Sequence, residues 1–187
     1  MRQLVEKELL GKIEYNFNDT PKSEAFKLNN PAPLIPLQEV LSDEILNFNN
    51  FGEDYILATF FSSMCTTCKT GRRVTMMKDI EGELDRNHIQ SKSILVFFRP
   101  FDKYDIEKWG KAIDMPFDQF IADDLFSNEE RYVTDDSVVP DPFTVVLDKK
   151  RNVIFVEPVN ELESDLAAAV LKIIKSQSQA SIKGGKT

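Results

Sequence analysis

Apolar runs and helix-period segments alternate in one order along the middle of this chain, and that order leaves few folds open. The run Tyr55-Ile56-Leu57-Ala58-Thr59-Phe60-Phe61 has the length and content of a buried strand, and a helix-period segment over residues 65–86 follows it. A strand over 93–98 and a helix over 102–113 repeat the unit, with Ile106, Trp109 and Ile113 on one helix face and Asp102 as its cap. Strands joined through a helix run parallel, and parallel strands need cover on both faces.

A short strand over 118–122 and a helical turn over 125–132 come next. Phe143-Thr144-Val145-Val146-Leu147-Asp148 and Asn152-Val153-Ile154-Phe155-Val156 are separated only by Lys149-Lys150-Arg151, a spacing that predicts an antiparallel hairpin. The last helix starts at Asn160, where Glu163 completes a capping box, and turns Leu162, Leu166, Val170 and Ile173 to one side. The expected class is therefore α/β, with a mixed central β-sheet and helices on both faces. Residues 1–50 form an N-terminal extension: 12–17 alternates like a strand, Pro31, Pro33 and Pro36 mark an extended stretch, and 42–46 starts a short helix. Residues 176–187 make a polar, flexible tail. The whole of 1–187 fits one domain.

Charge and hydropathy narrow the partners. With 31 acidic against 23 basic side chains the formal charge is −8, and no basic stripe interleaves with aromatics, which argues against nucleic acid. No apolar run approaches the roughly 20 residues of a membrane-spanning helix. Residues 1–10 mix charges into their apolar positions and lack the apolar core of a secretory signal, the pattern of a cytoplasmic protein. A chain shorn of a signal or anchor would read the same way, so both compartments stay open.

Both cysteines lie in Cys65-Thr66-Thr67-Cys68, just after the first long strand and at the mouth of the following helix. Two thiols at this spacing can close and reopen a small disulfide ring, and the unsatisfied N–H groups of a helix N-terminus favour the thiolate. Lys69, Arg72 and Arg73 either add positive charge near Cys65 or form a solvated helix face. A static disulfide or an inert buried pair is the bland alternative. Zinc needs four ligands, and the only histidine, His88, falls near a helix end some 20 residues on, so no metal and no cofactor is expected. Met76 and Met77 sit in helix register with Val74, Ile80 and Leu84 as packing residues. The triplet Asn18-Asp19-Thr20 and the terminal Gly184-Gly185-Lys186-Thr187 match short motifs without their structural context.

Strand, Cys-x-x-Cys at a helix start, crossover, proline before a strand, hairpin and final helix together resemble the thioredoxin superfamily. The closer likeness is to its TlpA-like and AhpC/TSA-type thiol-disulfide oxidoreductases, with residues 109–133 as that branch's insertion between the two halves. The resemblance covers roughly residues 34–175. It implies a thioredoxin-like fold in which Pro142 is a cis proline opening the strand that faces the dithiol, with Pro140 as the competing position. It also implies thiol-disulfide exchange: Cys65 attacks, Cys68 resolves, and the backbone of Asp141 binds an extended substrate by strand addition. Met64, Thr66, Thr67, Asp141 and Pro142 would line the substrate site. The implied partners are a disulfide-containing protein substrate and a thiol electron donor; the implied state is a monomer, working outside the cytoplasm.

Three positions depart from the family pattern: Met64 stands where Trp usually precedes the first cysteine, Thr67 where Pro often precedes the second, and Thr59 where thioredoxin buries an aspartate. A hydroxyl cannot accept the proton that such a carboxylate takes, so Cys68 must lose its proton to water or another acid; the Asp141 carboxylate could take that proton or, as a like charge, raise the thiol pKa. The residues spaced like a peroxiredoxin's threonine and proline are Cys65 and Phe61, which disfavours peroxidase chemistry, and no histidine follows His88 to complete a copper site. The expected function is reduction of protein disulfides through the dithiol. A redox-silent binding module of the same fold, with a structural Cys-x-x-Cys, is the alternative.

Overall fold

The computed structural model describes residues 26–61, 67–98, 103–112, 114–122, 133–134, 137–138, 142–157 and 163–184. In chain order the strands are β1 (Leu37–Glu39), β2 (Ile45–Leu46), β3 (Tyr55–Phe61), β4 (Ser91–Phe98), β5 (Asp118–Ala122), β6 (Val133–Thr134), β7 (Ser137–Val138), β8 (Phe143–Leu147) and β9 (Val153–Val156). The α-helices are α1 (Thr67–Arg86), α2 (Lys103–Ala112) and α3 (Glu163–Gly184). Strands β6 and β7 pair with each other, and the other 7 form one mixed sheet in the order β2-β1-β5-β4-β3-β8-β9.

The hydrophobic run of β3 takes the centre of that sheet, parallel to β4 and antiparallel to β8, and all its residues are buried. From β3 to β4 and from β4 to β5 the chain steps the same way across the sheet, so right-handed crossovers put α1 and α2 on one face. On that face Leu57, Phe61, Leu95, Phe97 and Val146 meet Met77, Ile80 and Leu84 of α1, Ile106 of α2, and Leu166, Val170 and Ile174 of α3. The opposite face, with Ile56, Ala58, Phe60, Val96, Phe98, Phe143 and Val145, is covered by residues 26–51, which contribute Phe26, Ile35 and a 3-10 turn at Phe48–Asn50. Phe60 stacks on Phe143 with ring centroids 4.9 Å apart and on Phe98 at 5.5 Å, forming the middle of this second core.

Three details differ from the sequence reading. Residues 42–46 make no helix; they are a turn and strand β2, paired Leu37↔Leu46 and Gln38↔Ile45, with Asp43 at φ 62°. A short aspartate tolerates this left-handed backbone, and pairing along the sheet outweighs a weak helix signal. In α3 the fully buried row is Leu166, Val170 and Ile174, spaced by four, and Ile173 is only partly buried. The helix also continues to Gly184, through the segment read as a polar tail. The readings of a strand over 12–17 and a helical turn over 125–132 lie outside the described residues, as does Asp102.

Candidate active site

Register alone assembles the site's frame. Strand β3 ends at Phe61 and α1 begins at Thr67, so Thr67 and Cys68 lie in the first turn of the helix. No acidic residue occupies that turn to oppose an anion. Across the β3–β8 pairing Phe60 faces Phe143, which brings buried Pro142 to the end of β3 from which the dithiol segment departs. Met64, Cys65, Thr66 and Asp141 lie outside the described residues, and with Asp141 the Asp141–Pro142 peptide bond.

Beneath this frame lies a polar cluster that sequence reasoning missed. Pleating turns Thr59 and Thr144 toward the helix-bearing face, and Glu157, one residue past β9, reaches the same layer. Arg73 sits four residues before Met77 and heads the row that α1 lays on the sheet. Its guanidinium binds Glu157 in a two-pronged ion pair, Nη1 to Oε2 at 2.6 Å and Nη2 to Oε1 at 2.8 Å, with the side chains 6% and 4% exposed. Nη2 also donates to the carbonyl of Pro142 at 3.4 Å, and Nη1 to Thr144 Oγ1 at 3.5 Å. The Thr144 N–H donates to Glu157 Oε2 at 2.9 Å, and the Glu157 N–H returns a bond to the Thr144 carbonyl at 2.9 Å.

Thr59 completes the cluster. Its hydroxyl lies 2.9 Å from that of Thr144 and donates to the sulfur of Met77 at 3.2 Å. Arg73 therefore does not belong to a solvated face; neighbouring Arg72 is the exposed one. Burial pushes the Glu157 carboxyl above the usual carboxylate range, while Arg73 and the Thr144 donors pull against it. The signals were faint but present: Arg73 keeps the four-residue spacing to Met77, and Glu157 follows Phe155 by two along a strand. Neither reveals a partner 84 residues away in sequence.

Other sequence readings sit where expected. His88 is exposed just past α1, Met76 and Met77 are core residues, and Trp109 packs edge-on against Phe97 with centroids 5.7 Å apart. Among the described residues no three His, Cys, Asp or Glu side chains gather to hold a metal, and no helix is long and apolar enough to cross a membrane.

No protein-family model matches the chain, and no curated protein matches it. Solved structures do. A thiol:disulfide interchange protein from Bacteroides sp. superposes with a TM-score of 0.56 at 16% identity, covering 81% of this chain and 92% of that one. The thioredoxin domain of a thiol-disulfide oxidoreductase from Bacteroides vulgatus gives 0.55 at 17% identity, covering 79% and 97%. A thioredoxin-like protein from Aeropyrum pernix gives 0.54 at 15%, covering 76% and 89%. The chain has the thioredoxin-like α/β fold.

Proposed function

We propose that this protein is a thiol-disulfide oxidoreductase that reduces protein disulfides through Cys65 and Cys68. The observation that carries the reading is positional. Cys68 lies in the first turn of α1, the helix that follows the central strand β3, with Cys65 three residues before it in sequence, and Phe143, next after Pro142 at the head of β8, pairs to the end of β3. A helix N-terminus stabilises an anion there, and two thiols two residues apart can share one disulfide.

In the proposed reaction the Cys65 thiolate attacks a substrate disulfide, forming a mixed disulfide and releasing the first substrate thiolate. The Cys68 thiolate then attacks the Cys65 sulfur, releasing the second substrate thiol and leaving Cys65–Cys68 oxidised. Two electrons pass to the substrate, and a thiol electron donor returns them. Met64, Thr66 and Thr67 line the substrate site, and the backbone of Asp141, before a cis Pro142, holds an extended substrate segment. The protein works as a monomer outside the cytoplasm, where protein disulfides are common substrates.

The test is a redox titration of the two cysteines in a thiol buffer, coupled to reduction of insulin disulfides. A reversible two-electron couple, with turnover lost in Cys65→Ser and mixed disulfides trapped in Cys68→Ser, is expected. A pair that neither reduces nor exchanges, or activity retained in both variants, overturns the reading in favour of a binding module with a structural Cys-x-x-Cys.

A further inference from the structure

Strand β9 stops short of the head of β8, and side chains finish the edge it leaves. The last β9 pairing is Val156 with Val145, and the Glu157 N–H closes the ladder on the Thr144 carbonyl at 2.9 Å. Backbone groups of an antiparallel strand turn alternately to its two neighbours, so those of Thr144 and the carbonyl of Pro142 face the β9 side, and Phe143 between them turns to Phe60 of β3. Glu157 takes the Thr144 N–H on its carboxylate at 2.9 Å, and Arg73 gives Nη2 to the Pro142 carbonyl at 3.4 Å. The two side chains are themselves joined, Nη1 to Oε2 and Nη2 to Oε1, and both are buried. Apolar side chains of similar volume would tie α1 to the hairpin at no greater cost, but none could donate to a carbonyl.

From this geometry we infer that Arg73 is a positioning residue for substrate: it occupies the Pro142 carbonyl, fixes the peptide unit between Pro142 and Phe143, and so presets the head of β8 for an extended, disulfide-bearing peptide that adds before Pro142. The inference rests on the oxidoreductase reading, in which the backbone of Asp141 holds that peptide. A buried carbonyl deprived of its donor turns toward another, water included, and a substrate must then order the segment as it binds. Lysine cannot take over this role. The planar guanidinium fork serves the Glu157 carboxylate and the Pro142 carbonyl together, whereas an ammonium is a compact point charge that Glu157 alone would hold.

The test sets insulin reduction by the full chain against its denaturation midpoint, for the wild type, Arg73→Lys and Glu157→Gln. Arg73→Lys keeps a cation opposite Glu157 and gives up the Pro142 carbonyl, so KM for insulin should rise about fivefold to tenfold with kcat within about twofold. Glu157→Gln keeps an acceptor for the Thr144 N–H and leaves the guanidinium on Pro142, so it should raise KM less than Arg73→Lys although it costs more stability. KM that follows the denaturation midpoint across the two variants, or that does not move in Arg73→Lys, would reduce Arg73 to a structural tie. Should Arg73→Lys fail to fold, Arg73→Met combined with Glu157→Met removes both charges and the donor at once, and the same rise in KM is expected of it. Carboxymethylated insulin B chain, which has no disulfide to exchange, is the second probe, and its Kd should rise by the same factor in Arg73→Lys. A wild type that binds this chain but reduces no insulin overturns the oxidoreductase reading and leaves the Kd comparison to decide the role of Arg73; a wild type that does not bind it overturns the inference.

Discussion

The guanidinium of Arg151 donates to the backbone carbonyl of Phe48 at 2.9 Å, across 103 residues of sequence. The same side chain reaches the carbonyls of Glu53 and Asp148 at 3.0 Å each and that of Phe51. One cation thus fastens the loop around the 3-10 turn to the β8–β9 hairpin, from a left-handed residue with φ 62°. Truncating it leaves several carbonyls short of a donor. Arg151→Ala should cost about 2–4 kcal/mol, read as a lower denaturant midpoint at unchanged slope. A loss below about 1 kcal/mol would mean that water replaces the fork.

Phe60 should be the most sensitive single position of the second core. Its ring stacks on Phe98 and Phe143 and meets Phe26 at 5.2 Å, so Phe60→Ala opens a cavity that three rings border. The expected loss is about 3–5 kcal/mol by chemical denaturation. Because Phe143 follows Pro142, the proposed thiol-disulfide exchange should fall as well.

The buried ion pair predicts strong non-additivity. Arg73→Met strands the Glu157 carboxylate and should destabilise the protein by about 3–5 kcal/mol, whereas Arg73→Met combined with Glu157→Met should recover most of that. A double variant no more stable than the single one would show that the charges themselves are needed for folding.

Glu81 carries a pH signature. Its Oε1 accepts the Ser93 N–H at 2.8 Å, tying α1 to β4, and burial raises its carboxyl pKa against the opposing pull of Ser93 and Lys92. A carboxyl whose folded pKa exceeds its unfolded value holds its proton more tightly when folded. Its stabilising contribution is complete below the ordinary value of 4.5 and is lost as pH rises through the higher folded value. Glu157 acts in the same sense. Glu81→Gln, which keeps the acceptor, should flatten the decline in stability above that pH, measured by denaturation midpoints across pH 4 to 7. A steeper decline in the variant would reverse the sign and defeat the assignment.

Oxidation should change stability only modestly, because the Cys65–Cys68 ring is too short to restrict the unfolded chain much. The expected difference is about 0–3 kcal/mol, with the oxidised form the more stable if the proposed reductase role holds. Denaturation of both states checks it, and a more stable reduced form would make the protein an oxidant.

The order of strands and helices was legible in the sequence because it is a matter of local period: the run at 55–61, apolar but for Thr59, reads as a buried strand, and 143–156 as a hairpin. That Cys68 opens a helix directly after a strand was legible for the same reason, since strand, motif and helix start sit within a dozen residues. Weak local signals failed where pairing was stronger, as at 42–46, where the ladder to Leu37 and Gln38 made strand β2 of the end of a segment read as a helix start. What only the tertiary structure decided depends on partners far apart in the chain. Residues 26–50, part of the 1–50 segment read as an N-terminal extension, cover one sheet face because Phe26, Ile35 and Phe48 pack there in the same core as Phe60 and Phe143. Arg73 reads as a surface charge in its own helix, and becomes a buried cation because folding delivers the Glu157 carboxylate and the Pro142 carbonyl to it. Periodicity records which way a side chain points; the charge it will meet there is set by strand register and by the crossovers that fold the sheet.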